Sequence, residues 1–84
     1  MSGKAASFRK RLGAAIRKRR LEFRLSQESL AAKAKLHRTY LADIERGSRN
    51  PSLDSIVKIA AGLDLPVSEL FRLAERSETS GTGQ

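Results

Sequence analysis

The 84-residue chain carries 17 Lys and Arg against 9 Asp and Glu, one His and no Cys, for a formal net charge of +8. A single domain of this size buries roughly 60–65% of its unfolded surface and leaves no room for a separate catalytic domain; without Cys and with one His, disulfides, a thiol nucleophile and a zinc centre are excluded, and no metal or cofactor is expected. No apolar run approaches the roughly 18–20 residues of a membrane span, and no apolar segment follows the basic start as in a secretory signal, so the expected location is the cytoplasm.

Helical period dominates and strand-like alternation is absent. Residues 1–7 read as a flexible basic arm, with Lys4 its cation. A first helix runs from Phe8 to Phe23, with Phe8, Leu12, Ala15, Ile16 and Phe23 on one stripe. Ser26 reads as the N-cap of a second helix, Gln27 to Ala34, because its hydroxyl can accept from an orphan backbone N–H; Leu30, Ala31 and Ala34 face inward. Lys35-Leu36-His37 is a short turn. A third helix spans Arg38 to Arg46, with Leu41 and Ile44 inward, and Gly47 supplies the left-handed residue that ends it. Ser48-Arg49-Asn50-Pro51 forms a loop. Ser52 caps a fourth helix through Ala61, expected to bury Leu53, Ile56, Val57 and Ala60. Pro66 opens a fifth helix with Val67, Leu70, Phe71 and Ala74 on one face. The expected architecture is all-α and five-helix, with the domain at 8–76 and a disordered Ser/Thr/Gly-rich tail at 77–84.

The charge is graded along the chain. Residues 1–25 hold nine cations against one anion, residues 26–50 five against three, and residues 51–84 three against five. One basic face points to a polyanion. Nucleic acid is one candidate; a basic amphipathic helix on a membrane surface, Phe8 to Arg24, is the other. An enzyme is not expected, because no nucleophile–base pair, metal cluster or glycine-rich phosphate loop is present.

The informative stretch is Ser26 to Ser52, SQESLAAKAKLHRTYLADIERGSRNPS. Two short helices flank a tight turn, small Ala31 lies where they approach, and Leu36, Leu41 and Ile44 can lock one across the other. That is the sequence form of a helix-turn-helix, whose second helix enters the major groove. The combination LSQESLA, Y-L-x-x-I-E-R-G and N-P-S resembles the lambda-repressor-like (Cro/CI or XRE type) domains, and LHRTYLADIERGSRNPS resembles small stand-alone regulators such as restriction-modification controller proteins. The resemblance covers Phe8 to Ala74.

The resemblance implies five helices, dimeric binding to double-stranded DNA and transcriptional regulation, autoregulatory as in controller proteins. It places Arg38, Thr39, Ala42 and Asp43 against bases. It places Gln27, Tyr40, Arg46, Ser48, Arg49 and Asn50 along the phosphate backbone. It also pairs Glu45 with Arg20, making both scaffold rather than contact residues. Physics agrees for Arg38, whose forked cation at the helix start can reach guanine O6 and N7. Asp43 has a second reading, an ion pair with Arg46 three residues on. Family members often have glycine near Arg24 and near Lys35; if either needs a positive φ, the substitution costs about 1–2 kcal/mol.

One reading helix covers few base pairs, so two copies on a pseudo-palindrome are expected. The acidic C-terminal part supplies the candidate dimer surface, Leu65, Glu69, Phe71, Arg72 and Leu73. An antitoxin sharing the same module is the alternative function. No small-molecule ligand or membrane partner is expected; in the cytoplasm the protein would join the nucleoid when bound to DNA.

Overall fold

Five helices follow one another in the computed structural model: α1 (Ser2–Glu22), α2 (Gln27–Ala34), α3 (Arg38–Glu45), α4 (Leu53–Gly62) and α5 (Val67–Thr82). The structure describes the backbone of residues 2–82 and the side chains of residues 3–76, and no strand occurs among the described residues. At the C-terminal end α5 runs on to Thr82, so residues 77–82, expected within a disordered tail, continue the helix, and residues 83–84 of that segment lie outside the described residues. At the other end α1 begins at Ser2, so residues 2–7, expected as an arm ahead of the first helix, belong to it. Lys4, Ala5 and Ala6 favour helix, Ser7 Oγ accepts from Arg11 Nη1 one turn on at 3.2 Å, and Phe8 anchors this end edge-on against Phe71 of α5, ring centroids 5.6 Å apart.

α1 packs along α5 and across α3, α2 packs on α3 and α4, and α4 meets α5. The largest fully buried side chains are Ile16, Leu30, Leu41, Ile44, Ile59, Leu63 and Leu70, so all five helices contribute to one core. Two sequence expectations fail on α4. Leu53 and Val57 are 69% and 48% exposed, not buried. Ser55, Ile59, Ala60 and Gly62 are buried; at 100° per residue Val57 falls opposite Ser55, Ile59 and Gly62, and Leu53 shares the Ala60 side but stands at the open first turn of the helix. Apolarity cannot choose between two apolar stripes; the hydrogen-bonded Ser55 hydroxyl decides it. Phe23, expected on the α1 stripe, is 40% exposed in the turn beyond that helix, whereas Leu63 is fully buried.

One device ends four helices. Arg24, Lys35 and Asp64 adopt left-handed φ of 57°, 58° and 58°, and Gly47 has φ 78°. After each, the next backbone N–H closes on a carbonyl five residues back: Leu25 on Arg20, Leu36 on Ala31, Ser48 on Asp43 and Leu65 on Ala60, at 2.9–3.0 Å. This is the Schellman closure. At the three non-glycine positions the residue that follows is a leucine (Leu25, Leu36 or Leu65) packed against the core. Each left-handed non-glycine residue costs about 1–2 kcal/mol, and a largely buried leucine returns a similar amount. The residue after the leucine then starts the next helix: Ser26, with Oγ accepting from Ser29 N at 2.9 Å, His37, and Pro66. The tripeptides RLS, KLH and DLP are thus three copies of one turn, and the KLH copy sets the angle between α2 and α3.

Candidate nucleic-acid interface

α3 is held from behind by α1. A Cβ at Gly13 would lie 2.8 Å from the Glu45 carbonyl carbon and overlap the carbonyl oxygens of Ile44 and Glu45. Only glycine lets α1 cross the last turn of α3 this closely. At the next residues, Gly47 lies against the backbone of Lys10, where a Cβ would be 2.9 Å from Lys10 Cα. The sequence reading missed Gly13, whose partners lie some thirty positions away along the chain.

The same crossing carries an ion pair. Arg20 Nε and Nη2 donate to Glu45 Oε2 and Oε1 at 2.8 and 2.9 Å, and Arg20 Nη1 donates to the Leu25 carbonyl at 2.9 Å. Both side chains are buried. The bidentate fork is the strong geometry for such a pair, and it raises the Arg20 pKa further, chiefly through the hydrogen bond to Glu45, with burial opposing and charge attraction adding. Gln27 joins in: its Nε2 donates to Glu45 Oε1 at 3.1 Å. The Gln27 side chain is therefore turned inward, which leaves the backbone N–H as the group this position offers to a phosphate. That N–H, in the first turn of α2, is among those with no intrahelical acceptor.

Restrained from inside, α3 presents its outer face. Arg38 and Thr39 are exposed and, among the described residues, their side chains make no hydrogen bond or ion pair. Ala42, expected to face bases, is 9% exposed; the inward turn of this short helix leaves only the edge of its methyl at the surface. Asp43 and Arg46 pair with each other one turn apart, the second of the two readings of Asp43 from sequence. Ser48 N and Oγ both donate to the Asp43 carbonyl, at 3.0 and 3.2 Å. Arg49 and Asn50 are exposed, and the Arg49 guanidinium lies 5.2 Å from the centre of the Tyr40 ring.

Tyr40 is half-buried, its hydroxyl accepting from Ser52 N at 3.3 Å and from Ser55 Oγ at 3.2 Å. These contacts hold the phenol below its usual pKa: the Ser55 hydrogen bond leads, burial opposes, and the Ser52 contacts and the Arg49 charge add. Ser55 was not anticipated, because nothing in its local sequence sets it apart from a solvated helix serine.

Of the expected dimer residues, Leu65 and Leu73 are half-buried against the core, Phe71 packs on Phe8, and Arg72 Nε donates to Glu69 Oε1 at 3.2 Å. The more exposed apolar pair is Leu53 and Val57, one turn apart on α4. Among the described residues no group of acidic, His or Cys side chains could hold a metal ion, and no helix is long and apolar enough to cross a membrane.

A helix-turn-helix family profile matches residues 16–70, the span that contains α2, α3, the turn between them and the α1 segment that braces them. The chain belongs to the XRE-type helix-turn-helix family. Relatives within this family include control protein C.MunI of Mycoplasma sp, 54% identical over 62% of this chain and 70% of the relative. Control protein C.BamHI of Bacillus amyloliquefaciens is 53% identical over 56% of this chain and 58% of its own length. Among solved structures, the restriction-modification controller protein C.AhdI of Aeromonas hydrophila superposes with a TM-score of 0.72 at 42% identity, covering 74% of this chain and 94% of that one. The controller protein C.Esp1396I, solved as a tetramer with its natural 35 base-pair operator, superposes with a TM-score of 0.77 at 36% identity over 83% of this chain and 92% of that one. The five-helix arrangement is that of the helix-turn-helix controller structures.

Proposed function

We infer that this chain, a sequence-specific DNA-binding regulator of transcription, acts as a homodimer that sets two copies of α3 into the major groove of a pseudo-palindromic operator. The observation that carries this reading is the outer face of α3: Arg38 and Thr39 stand exposed at its start with no intramolecular partner, on a helix braced from inside. Arg38 reads guanine by a bidentate contact and Thr39 offers a hydroxyl or a methyl to the neighbouring base. Ala42 adds at most a methyl edge, and Asp43 acts through its pairing with Arg46. The Gln27 backbone N–H, Tyr40, Arg46, Ser48, Arg49 and Asn50 follow the flanking phosphates. The half-sites lie one helical turn apart, roughly 34 Å.

The contact between copies is assigned to Leu65, Glu69, Phe71, Arg72 and Leu73, extended by Leu53 and Val57, whose exposed apolar side chains favour a covering surface. The regulator is non-enzymatic, takes no cofactor or small-molecule ligand, and works in the cytoplasm on nucleoid DNA. Control of a restriction-modification system, with autoregulation, is the setting that the C.MunI and C.AhdI resemblances support.

A titration of labelled duplex, selected by the wild-type chain from a random pool, separates base reading from backbone attraction. Arg38→Ala lowers the preference for the selected duplex by about 1–3 kcal/mol, whereas Arg49→Ala weakens selected and scrambled duplexes alike and reduces the salt slope by about one. Binding that ignores salt, or an Arg38→Ala variant with its preference intact, contradicts the reading.

A further inference from the structure

A tyrosine hydroxyl has two acceptor lone pairs and one hydrogen. At Tyr40 both acceptor positions are occupied from one side: Ser52 N donates at 3.3 Å and Ser55 Oγ at 3.2 Å. The two serines continue the chain, Ser52 Oγ lying 2.9 Å from Ser55 Oγ; when Ser52 donates to Ser55, the Ser55 hydrogen is left for Tyr40. Ser55 is 6% exposed, inside the N-terminal turn of α4. Beyond the two serines, no other described residue is hydrogen-bonded to the Tyr40 hydroxyl. With both serines donating, the Tyr40 hydrogen points away from α4 and out of the protein. The Arg49 guanidinium lies over the same ring, so the two donors stand side by side.

We propose that Ser55 is a positioning residue for DNA binding: with Ser52 it fixes Tyr40 as an obligate outward donor that, together with Arg49, clamps one backbone phosphate. This rests on the operator-binding reading above. A phosphate diester is an acceptor only at neutral pH, so a hydroxyl able to turn its hydrogen inward would lose the contact part of the time. Donation by Ser55 also polarises the phenol and strengthens its outward hydrogen bond. Donation by Ser55 and Ser52 is the sense that lowers the Tyr40 pKa, and Tyr40 donating into Ser55 would hold the proton and raise it, so the titration below separates the two. The arrangement joins α3, which reads DNA, to the N-terminus of α4, whose Leu53 and Val57 lie on the opposite side.

Tyr40 is the single tyrosine and the chain has no tryptophan, so absorbance near 295 nm follows this phenol alone. In an alkaline titration of the full chain, the wild-type midpoint falls below that of N-acetyltyrosinamide and Ser55→Ala moves it back up. In anisotropy titrations of the selected duplex, Tyr40→Phe weakens binding about tenfold or more and Ser55→Ala about fivefold. The double variant binds no more weakly than Tyr40→Phe alone, because Ser55 acts only through the phenol. A wild-type midpoint above that of the reference, or additive losses in the double variant, overturns the proposal; the first measurement needs no variant to fold. If wild-type and Arg38→Ala behave as described above while Ser55→Ala binds like wild type, this inference fails and the operator-binding reading stands. If the wild-type chain selects no duplex, the reading itself fails.

Discussion

Gly13→Ala should destabilise the domain by about 2 kcal/mol and lower the thermal midpoint by about 10 °C. The sign is informative, because alanine in the middle of a helix normally stabilises by up to about 1 kcal/mol over glycine. Here the added methyl meets the backbone carbonyls of Ile44 and Glu45. Backbone cannot move aside as a side chain does, so α1 and α3 must separate. Separation opens the interface that buries Ile16 and Ile44 and tilts α3 away from the geometry that presents Arg38 and Thr39. Duplex affinity should fall further than stability alone explains at temperatures where the variant is still folded. Circular dichroism melts together with anisotropy check both parts. A melting point equal to or above wild type would show that the α1–α3 crossing does not depend on glycine.

Glu45→Ala should cost about 3–5 kcal/mol. The variant leaves the Arg20 guanidinium buried with the Leu25 carbonyl as its remaining acceptor, and it strips Gln27 Nε2 of its partner as well. Small domains have total stabilities toward the lower end of about 5–15 kcal/mol, so this one substitution brings the chain close to unfolding at ambient temperature. The loss measures an orphaned charge, not the net worth of the pair. Replacing both partners by apolar residues of similar volume, Arg20→Met with Glu45→Leu, should therefore recover most of it. Urea denaturation of the three proteins decides: a Glu45→Ala loss under about 1 kcal/mol would mean that the pair is solvated in practice.

The caps made most of the fold legible. Ser26, Ser52, Gly47 and Pro66 each mark a helix boundary by local chemistry, and the boundaries of α2, α3 and α4 fall within a residue or so of where those signals put them. Arg38, Thr39 and Arg49 were readable because their positions in a helix-turn-helix imply an outward direction. What could not be read depends on pairs far apart in sequence. Gly13 is one glycine in an amphipathic helix until α3 is laid across it. Ser55 is one more helix serine until Tyr40 reaches it. Gln27 was placed along the phosphate backbone by the family resemblance, while the pull of Glu45 on its side chain, eighteen residues on, is not visible locally. Leu53 and Val57 were assigned inward because α4 has two apolar stripes and the sequence offers no reason to prefer one. Arg24 and Lys35 show the reverse case: glycine is the residue that a left-handed turn favours, and here the buried leucine that follows carries the turn without it.

Two α3 helices reading base edges from the major groove about one helical turn apart would leave a distinct chemical footprint. Dimethyl sulfate footprinting on the selected duplex tests this arrangement directly, because methylation at guanine N7 reports the major groove and at adenine N3 the minor groove. Guanine N7 should be protected in two symmetric clusters whose centres are about 10 base pairs apart, with both clusters lost in Arg38→Ala. A single unsymmetric cluster, or protection confined to adenine N3, would contradict the arrangement.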